Sequence, residues 1–232
     1  MLLTSPVIAA TPWLSPDSDT SLTHLPSKMV SDISHLLIPE NGMPFVMGGF
    51  LTAGDWILFD SQNYLATGLQ NLNIQPVFDF GNFYGEGWVE GGDAVGSWGL
   101  GVLMGDMRLQ EFGRDAAESL ITSTVVVTGL KIAVNRTRPN GGAYSFPSGH
   151  AITAFCLAPV VDRYFGGEVG VPAYLLATVT AFARVEGDWH YLSDVLAGAT
   201  LGIVIGNSVV YAPKDVSVTA LPGGVNIRLA FN

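Results

Sequence analysis

Three short stretches of this chain gather residues that could do chemistry together. In "KIAVNRTRP" (131–139), six residues separate Lys131 from Arg138, and Pro139 follows directly. Proline lacks an N–H and restricts the residue before it, so any helix through Lys131 ends here. In "SFPSGHA" (145–151), Pro147, Ser148, Gly149 and His150 stand directly before an apolar run over 151–161. That run reads as a helix capped by the Ser148 hydroxyl, with Pro147 fixing the entry. In "ARVEGDWHYLSD" (183–194), five residues separate Arg184 from His190 and three separate His190 from Asp194. A helix starting near Trp189 puts His190 and Asp194 at i, i+4 on one face. The carboxylate can then accept the imidazole Nδ1–H and leave Nε2 as a free, basic lone pair.

Each stretch alone has a plain structural reading. Lys131 and Arg138 near a helix C-terminus complement its dipole, and an isolated His–Asp pair is more often a structural hydrogen bond. Capping calls for neither Gly149 nor His150. The conjunction calls for more: three cations, a helix N-terminus and two histidines are the parts needed to hold a tetrahedral oxyanion and transfer its central atom. Charge accumulates on the equatorial oxygens in that transition state, where fixed cations and backbone N–H groups stabilise it. Ser148 and the Gly149 N–H can point at an anion on the helix axis, Gly149 permits close backbone approach, and His150 can give a proton to the leaving oxygen.

Taken together, Lys131-x6-Arg138-Pro139, Pro147-Ser148-Gly149-His150 and Arg184-x5-His190-x3-Asp194 resemble the three-part signature of the type 2 phosphatidic acid phosphatase superfamily, which also includes vanadium-dependent haloperoxidases. The resemblance implies a helical bundle with the site among its core helices. It implies a metal-independent, acid-type phosphatase that hydrolyses phosphomonoesters or diphosphates, lipid or prenyl phosphates among them, without a cofactor. By the same carry-over His190 is the nucleophile that forms a phosphohistidine, Asp194 orients it, and His150 is the acid and then the base. Lys131, Arg138, Arg184, Ser148 and the Gly149 N–H hold the phosphoryl oxygens. One position departs from the family pattern: Ala183 stands where Ser usually precedes the third-motif Arg, which removes a supporting hydrogen bond rather than a catalytic group.

Two other functions use the same cradle. A vanadium haloperoxidase would hold vanadate there as cofactor, with His190 on the metal, but those enzymes are typically far larger. A non-catalytic binder of phosphate or lipid headgroups would need neither nucleophile nor acid. A zinc site at His150, His190 and Asp194 is disfavoured by the three neighbouring cations and by ligand spacing. Arg136, alternating with Arg138, is read as facing solvent or an acidic neighbour. Glu186 and Asp188 flank the site and are read as shaping a loop or keeping His190 able to take a proton, and His24 and His35 as surface residues. Cys156, inside an apolar run, is read as buried filler.

The elements that must position these residues are helical. Of the 232 residues, 48% are hydrophobic and 13% charged, with a mean hydropathy of +0.37. These values lie between an ordinary globular protein and a helical membrane protein. The net charge of −10 argues against a nucleic-acid partner. Periodicity predicts helices at about 44–70, 93–110, 114–135, 149–164, 171–185 and 190–211. The expected fold is all-α, a bundle of about six core helices with a small C-terminal β-hairpin over 216–231, where apolar residues alternate on either side of Pro222-Gly223-Gly224. Residues 76–92 mix aromatics, glycines and acids, and are read as a core-packing loop or a lid.

A loose leader over 1–27, rich in Ser, Thr, Pro and Asp, precedes a single phosphatase domain over 28–232. Residues 1–10 are apolar and end in Ala9-Ala10 but lack a basic n-region, so at most they are the remnant of a signal peptide. The best candidate for the roughly 20 apolar residues that a membrane span needs is 195–213; 169–183 is shorter, and the run after Ser119 is stopped by Lys131. A soluble or membrane-associated protein is therefore expected ahead of an integral one, and the resemblance places it in the periplasm or on a membrane face outside the cytoplasm.

Overall fold

The computed structural model describes residues 38–59 and 64–211, with Leu25 and Leu36 and the backbone of 216–221 and 224–229. Apart from Leu25, the expected leader lies outside the described residues, as do His24 and His35. Among the described residues the chain forms eight helices: α1 (Pro39–Leu58), α2 (Tyr64–Gln70), α3 (Gln75–Tyr84), α4 (Gly87–Met104), α5 (Met107–Val134), α6 (Gly149–Phe165), α7 (Gly167–Glu186) and α8 (Leu192–Tyr211). The all-α class holds for this body. Beyond Tyr211 only the antiparallel backbone pairing of Val216–Leu221 with Gly224–Leu229 is described, and the helical body is what carries the site.

Helices α6 and α8 form the centre, with α7 packed on α6, α1 covering α8, and the α4–α5 pair completing the bundle. The α6–α8 contact is set by glycine. Gly198, Gly202 and Gly206 recur every four residues along one stripe of α8. A Cβ on Gly198 would meet Ser148 O at 2.8 Å, and one on Gly202 would meet Ile152 O at 2.6 Å and Cys156 N at 2.9 Å. Only hydrogen fits against backbone at that separation, the small-residue device that lets two helices approach closely. Ile152, Cys156, Val160 and Ile205 pack around the seam, and Cys156 is a buried core residue as expected.

Local signals place several boundaries where periodicity had blurred them. The expected helix over 44–70 is two: α1 ends at Leu58 and α2 begins at Tyr64. The break expected near 111–113 falls instead at Gly105, whose φ of 67° is the left-handed conformation glycine tolerates best. Asp106 then caps α5 by accepting from Arg108 N at 2.9 Å and Leu109 N at 3.2 Å. Gly113, between the two expected helices, lies inside α5, where its missing side chain admits the backbone of Ala94 and Trp98 in α4.

Residues 76–92 are not a loop. They form most of α3 and the start of α4, joined through Gly85 and Glu86. Gly81 fits against the Thr180 backbone, where a Cβ would come within 3.1 Å. A segment too glycine-rich to hold a helix alone is held by packing on α7.

Three helices, Met107–Val134, Gly167–Glu186 and Leu192–Tyr211, are long and apolar enough to cross a membrane by length and composition. Two of them run through stretches expected to be too short or to be stopped by Lys131. Lys131, in the last turn of the 28-residue α5, lies inside the apolar stretch of that helix rather than ending it.

Candidate active site

The three stretches meet at one end of the bundle. Helix α5 ends at Asn135, with φ 45°, whose N–H bonds Lys131 O at 2.9 Å, so Lys131 occupies the last turn and the chain turns back. Lys131 Nζ donates to Tyr144 O at 2.6 Å, and Arg138 Nε donates to Ala143 O at 3.0 Å. Asn140 N donates to Asp188 O at 3.2 Å and ties this loop to the one carrying His190.

Ser148 caps α6 as expected and is fully buried, its Oγ accepting from Ala151 N at 3.4 Å. Its own N–H donates to Asp194 O at 3.0 Å, which fixes the start of α6 on α8. A Cβ at Gly149 would point toward the Lys131 side chain, 3.9 Å from Cε, where an anion bound to that ammonium would also have to fit. The first-turn N–H groups of α6 have no intrahelical acceptor and face the same end.

His190 is not on a helix. It lies in the bend before α8, which starts at Leu192 rather than near Trp189. The expected i, i+4 helical pairing is replaced by a different device. Asp194 is the third residue of α8, and its Oδ2 reaches back to accept Tyr191 N at 3.0 Å, the reciprocal half of a capping box. The same oxygen accepts from Ser145 Oγ, while Oδ1 accepts from Arg136 Nη1 at 2.7 Å. His190 Nδ1 stands 3.5 Å from Oδ2, close enough to be oriented but too long for a strong hydrogen bond. Arg136 thus faces the acidic neighbour that was one of its two expected settings.

Arg184, at the end of α7, donates from Nη1 to Asn82 Oδ1 at 2.8 Å, and its carbonyl accepts from both Trp189 N and His190 N. The Trp189 ring lies 5.2 Å from the Arg184 guanidinium and 5.6 Å from that of Arg138, a shared cation–π platform. His150 Nε2 lies 3.8 Å from Glu86 Oε1 at the α3–α4 corner. Gln70 donates to the Glu186 backbone carbonyl at 2.8 Å and to Asp188 Oδ2 at 3.3 Å.

Burial and charge act together on the histidines. His190 is 2% exposed; burial first, with Lys131 and Arg138 adding to it, lowers its pKa to about 4 against the pull of Asp194. Burial lowers that of His150 to about 3, joined by Arg184, His190, Arg138 and Lys131. Every predicted cation therefore acts on His150, and both rings are neutral near pH 7 in the free site. A neutral imidazole is the nucleophilic form.

All eight predicted site residues gather here. Sequence reasoning missed Asn82, Glu86, Ser145, Trp56 and Trp189. Ser145 and Trp189 sit inside or beside the motifs, where a hydroxyl and an aromatic were visible signals. Asn82, Glu86 and Trp56 come from helices distant in sequence and left no such signal. Beside the site, a groove of about 520 Å³ runs between α1, α5 and α8, its walls almost wholly apolar and including Trp56, Leu130, Phe146 and Leu201.

Residues 140–217 match the sequence model of the PAP2 superfamily. Over 85 residues, 35% of this chain, the sequence is 38% identical to the lipid A 1-phosphatase of Porphyromonas gingivalis, and over 92 residues, 33% of this chain, it is 29% identical to the phosphatidylglycerophosphatase B of Bacillus subtilis. These matches span 19% and 45% of the two relatives' own lengths. The crystal structure of Aquifex aeolicus LpxE superimposes with a TM-score of 0.50 at 21% identity, covering 58% of this chain and 83% of that one. That likeness speaks to the fold.

Proposed function

We propose that the chain is a member of the PAP2 superfamily, whose model residues 140–217 match, and a phosphoric ester hydrolase acting on lipid phosphates. The observation that carries the reading is the meeting of Lys131, Arg138 and Arg184 around His150 and the buried, neutral His190. Lipid substrates are favoured by the relatives' names, by the apolar groove beside the site and by the exposed apolar faces of the helices. Prenyl phosphates fit the same chemistry. Residues 28–232 act as one domain associated with a membrane, its site on the face outside the cytoplasm.

In the proposed reaction His190 Nε2 attacks phosphorus in line, forming a P–N bond as the P–O bond to the leaving group breaks. Asp194 accepts the Nδ1–H as the ring gains charge. Lys131, Arg138, Arg184, the Ser148 hydroxyl and the Gly149 N–H hold the three equatorial oxygens, whose charge grows in the transition state. A phosphate dianion offsets the surrounding cations and lifts His150 toward protonation, so that it can give its proton to the leaving oxygen. In the second step neutral His150 takes a proton from water, the water oxygen bonds phosphorus, and the P–N bond breaks. The chemistry requires neither metal nor cofactor.

The test is phosphate release from phosphatidic acid, phosphatidylglycerophosphate and a prenyl diphosphate in detergent, with EDTA and with or without orthovanadate. Turnover should survive EDTA, fall with vanadate and drop at least about a thousandfold in His190→Ala, given the size of a lost nucleophile's effect. Absence of turnover on every phosphate would refute the reading.

A further inference from the structure

Arg136 belongs to none of the phosphate-holding groups, yet it is closely framed by aromatic rings and hydrogen-bond acceptors. Its guanidinium is stacked between two rings, 4.2 Å from the Trp56 centroid on α1 and 4.0 Å from the Tyr191 centroid beside His190. From that slot Nη1 donates to Asp194 Oδ1 at 2.7 Å and to Ser193 Oγ at 2.8 Å. The Asp194 side chain is fully buried and the Arg136 side chain is 13% exposed, so little water screens the pair.

The division of labour on Asp194 is unequal. Oδ2 is pinned by Ser145 Oγ and Tyr191 N, and Oδ1 by Arg136, leaving His190 Nδ1 at 3.5 Å. We infer that Arg136 is a positioning residue that draws the charge of Asp194 away from His190 and so keeps the ring a neutral nucleophile rather than an imidazolium. This rests on the phosphatase reading for its purpose, though not for its measurement. Trp56 and Tyr191 hold the guanidinium so that the division is fixed.

The direction of the effect follows from what remains when the cation goes. Oδ2 keeps both of its other donors, so the carboxylate stays in place with its full charge facing His190. The other charged groups around His190 and Asp194 are Lys131 from α5, Arg138 from its loop, His150 from α6, Arg184 from α7 and, on the Asp194 side, Asp55 from α1. Asp55 lies near Arg136 and Asp194, so losing Arg136 also leaves its negative charge unbalanced. Both consequences favour the protonated ring.

The experiment is an NMR titration of the full chain in detergent, labelled with 15N-histidine. The four histidines give few resonances, and His190→Ala identifies the one that matters. In R136M the His190 ring should titrate at least one pH unit higher than in the parent, whereas R136K should stay within about 0.3 unit because it keeps the charge. The acidic limb of kcat/KM should move up with it, so that turnover at pH 4 falls about fivefold, with KM changed less than threefold, while turnover above pH 7 stays within twofold. If R136M does not fold, R136Q, which keeps a donor for Ser193 without the charge, serves in its place. An unshifted His190 titration in the folded, uncharged variant overturns the inference, as does an equal shift in R136K. A parent without turnover whose His190 still shifts in R136M would instead refute the phosphatase reading and leave the Arg136–Asp194–His190 coupling standing.

Discussion

At the scale of residues, the site is built from neutral histidines among cations, and that has a cost measurable without substrate. The pKa of a histidine in an unfolded chain is about 6.5, while His190 is held near 4 and His150 near 3. Between those values the unfolded chain binds protons that the folded one does not, so stability must fall as the pH drops from about 6.5 toward 4. Above 6.5 both states carry the neutral ring and the contribution vanishes. His190→Gln removes one of the two groups, so thermal unfolding in detergent should lose less Tm between pH 7 and pH 4.5 in this variant than in the parent. Parallel Tm curves would mean that His190 is not held neutral by its surroundings.

At the scale of elements, the α6–α8 seam decides whether the motifs meet. Ser148 and His150 ride on the first turn of α6 and Asp194 on that of α8, and the glycines at 198, 202 and 206 set the spacing. In Gly202→Val the new side chain would run into Ile152 O and Cys156 N, backbone atoms that move only if the helices part. Overpacking of this kind costs about 1–3 kcal/mol, so the variant should unfold several degrees earlier and lose most of its turnover while all catalytic groups remain. Gly129→Ala is the control: a Cβ there meets nothing within 4 Å, and stability should hold or rise slightly. Equal behaviour of the two variants would show that the seam does not position the site.

At the scale of the molecule, three helices have the length and composition of membrane spans, and large apolar side chains stand exposed on several others, Phe50 and Ile57 on α1 and Leu103 on α4 among them. Apolar surface on that scale marks a lipid or protein contact. The protein should sediment with membranes, resist an alkaline carbonate wash and come free only in detergent. Release by carbonate or salt alone would place the helical body outside the bilayer and weaken the case for a lipid substrate reaching the site from within it.

The chemistry was legible in the chain because its groups lie in three compact stretches between Lys131 and Asp194, each with its own local signal: proline after Arg138, a capping serine before Gly149, an acid four residues past His190. Local rules also determined the all-α class and the cap at Ser148. Wherever the deciding partner was remote, tertiary structure ruled. Residues 76–92 looked too broken for a helix because glycine disfavours one in isolation, and packing against α7 reversed that preference. The His190–Asp194 pair looked helical because spacing cannot distinguish a helix face from a residue held just before a helix by its third side chain. Arg136 could be read only as facing solvent or an acidic neighbour, because Trp56, 80 positions earlier, and the far side of Asp194 give it its meaning only after folding. Sequence supplies the groups and their local caps, which depend on neighbours a few residues away; the charge each group carries depends on burial and on cations from other helices, and only the packed bundle fixes those.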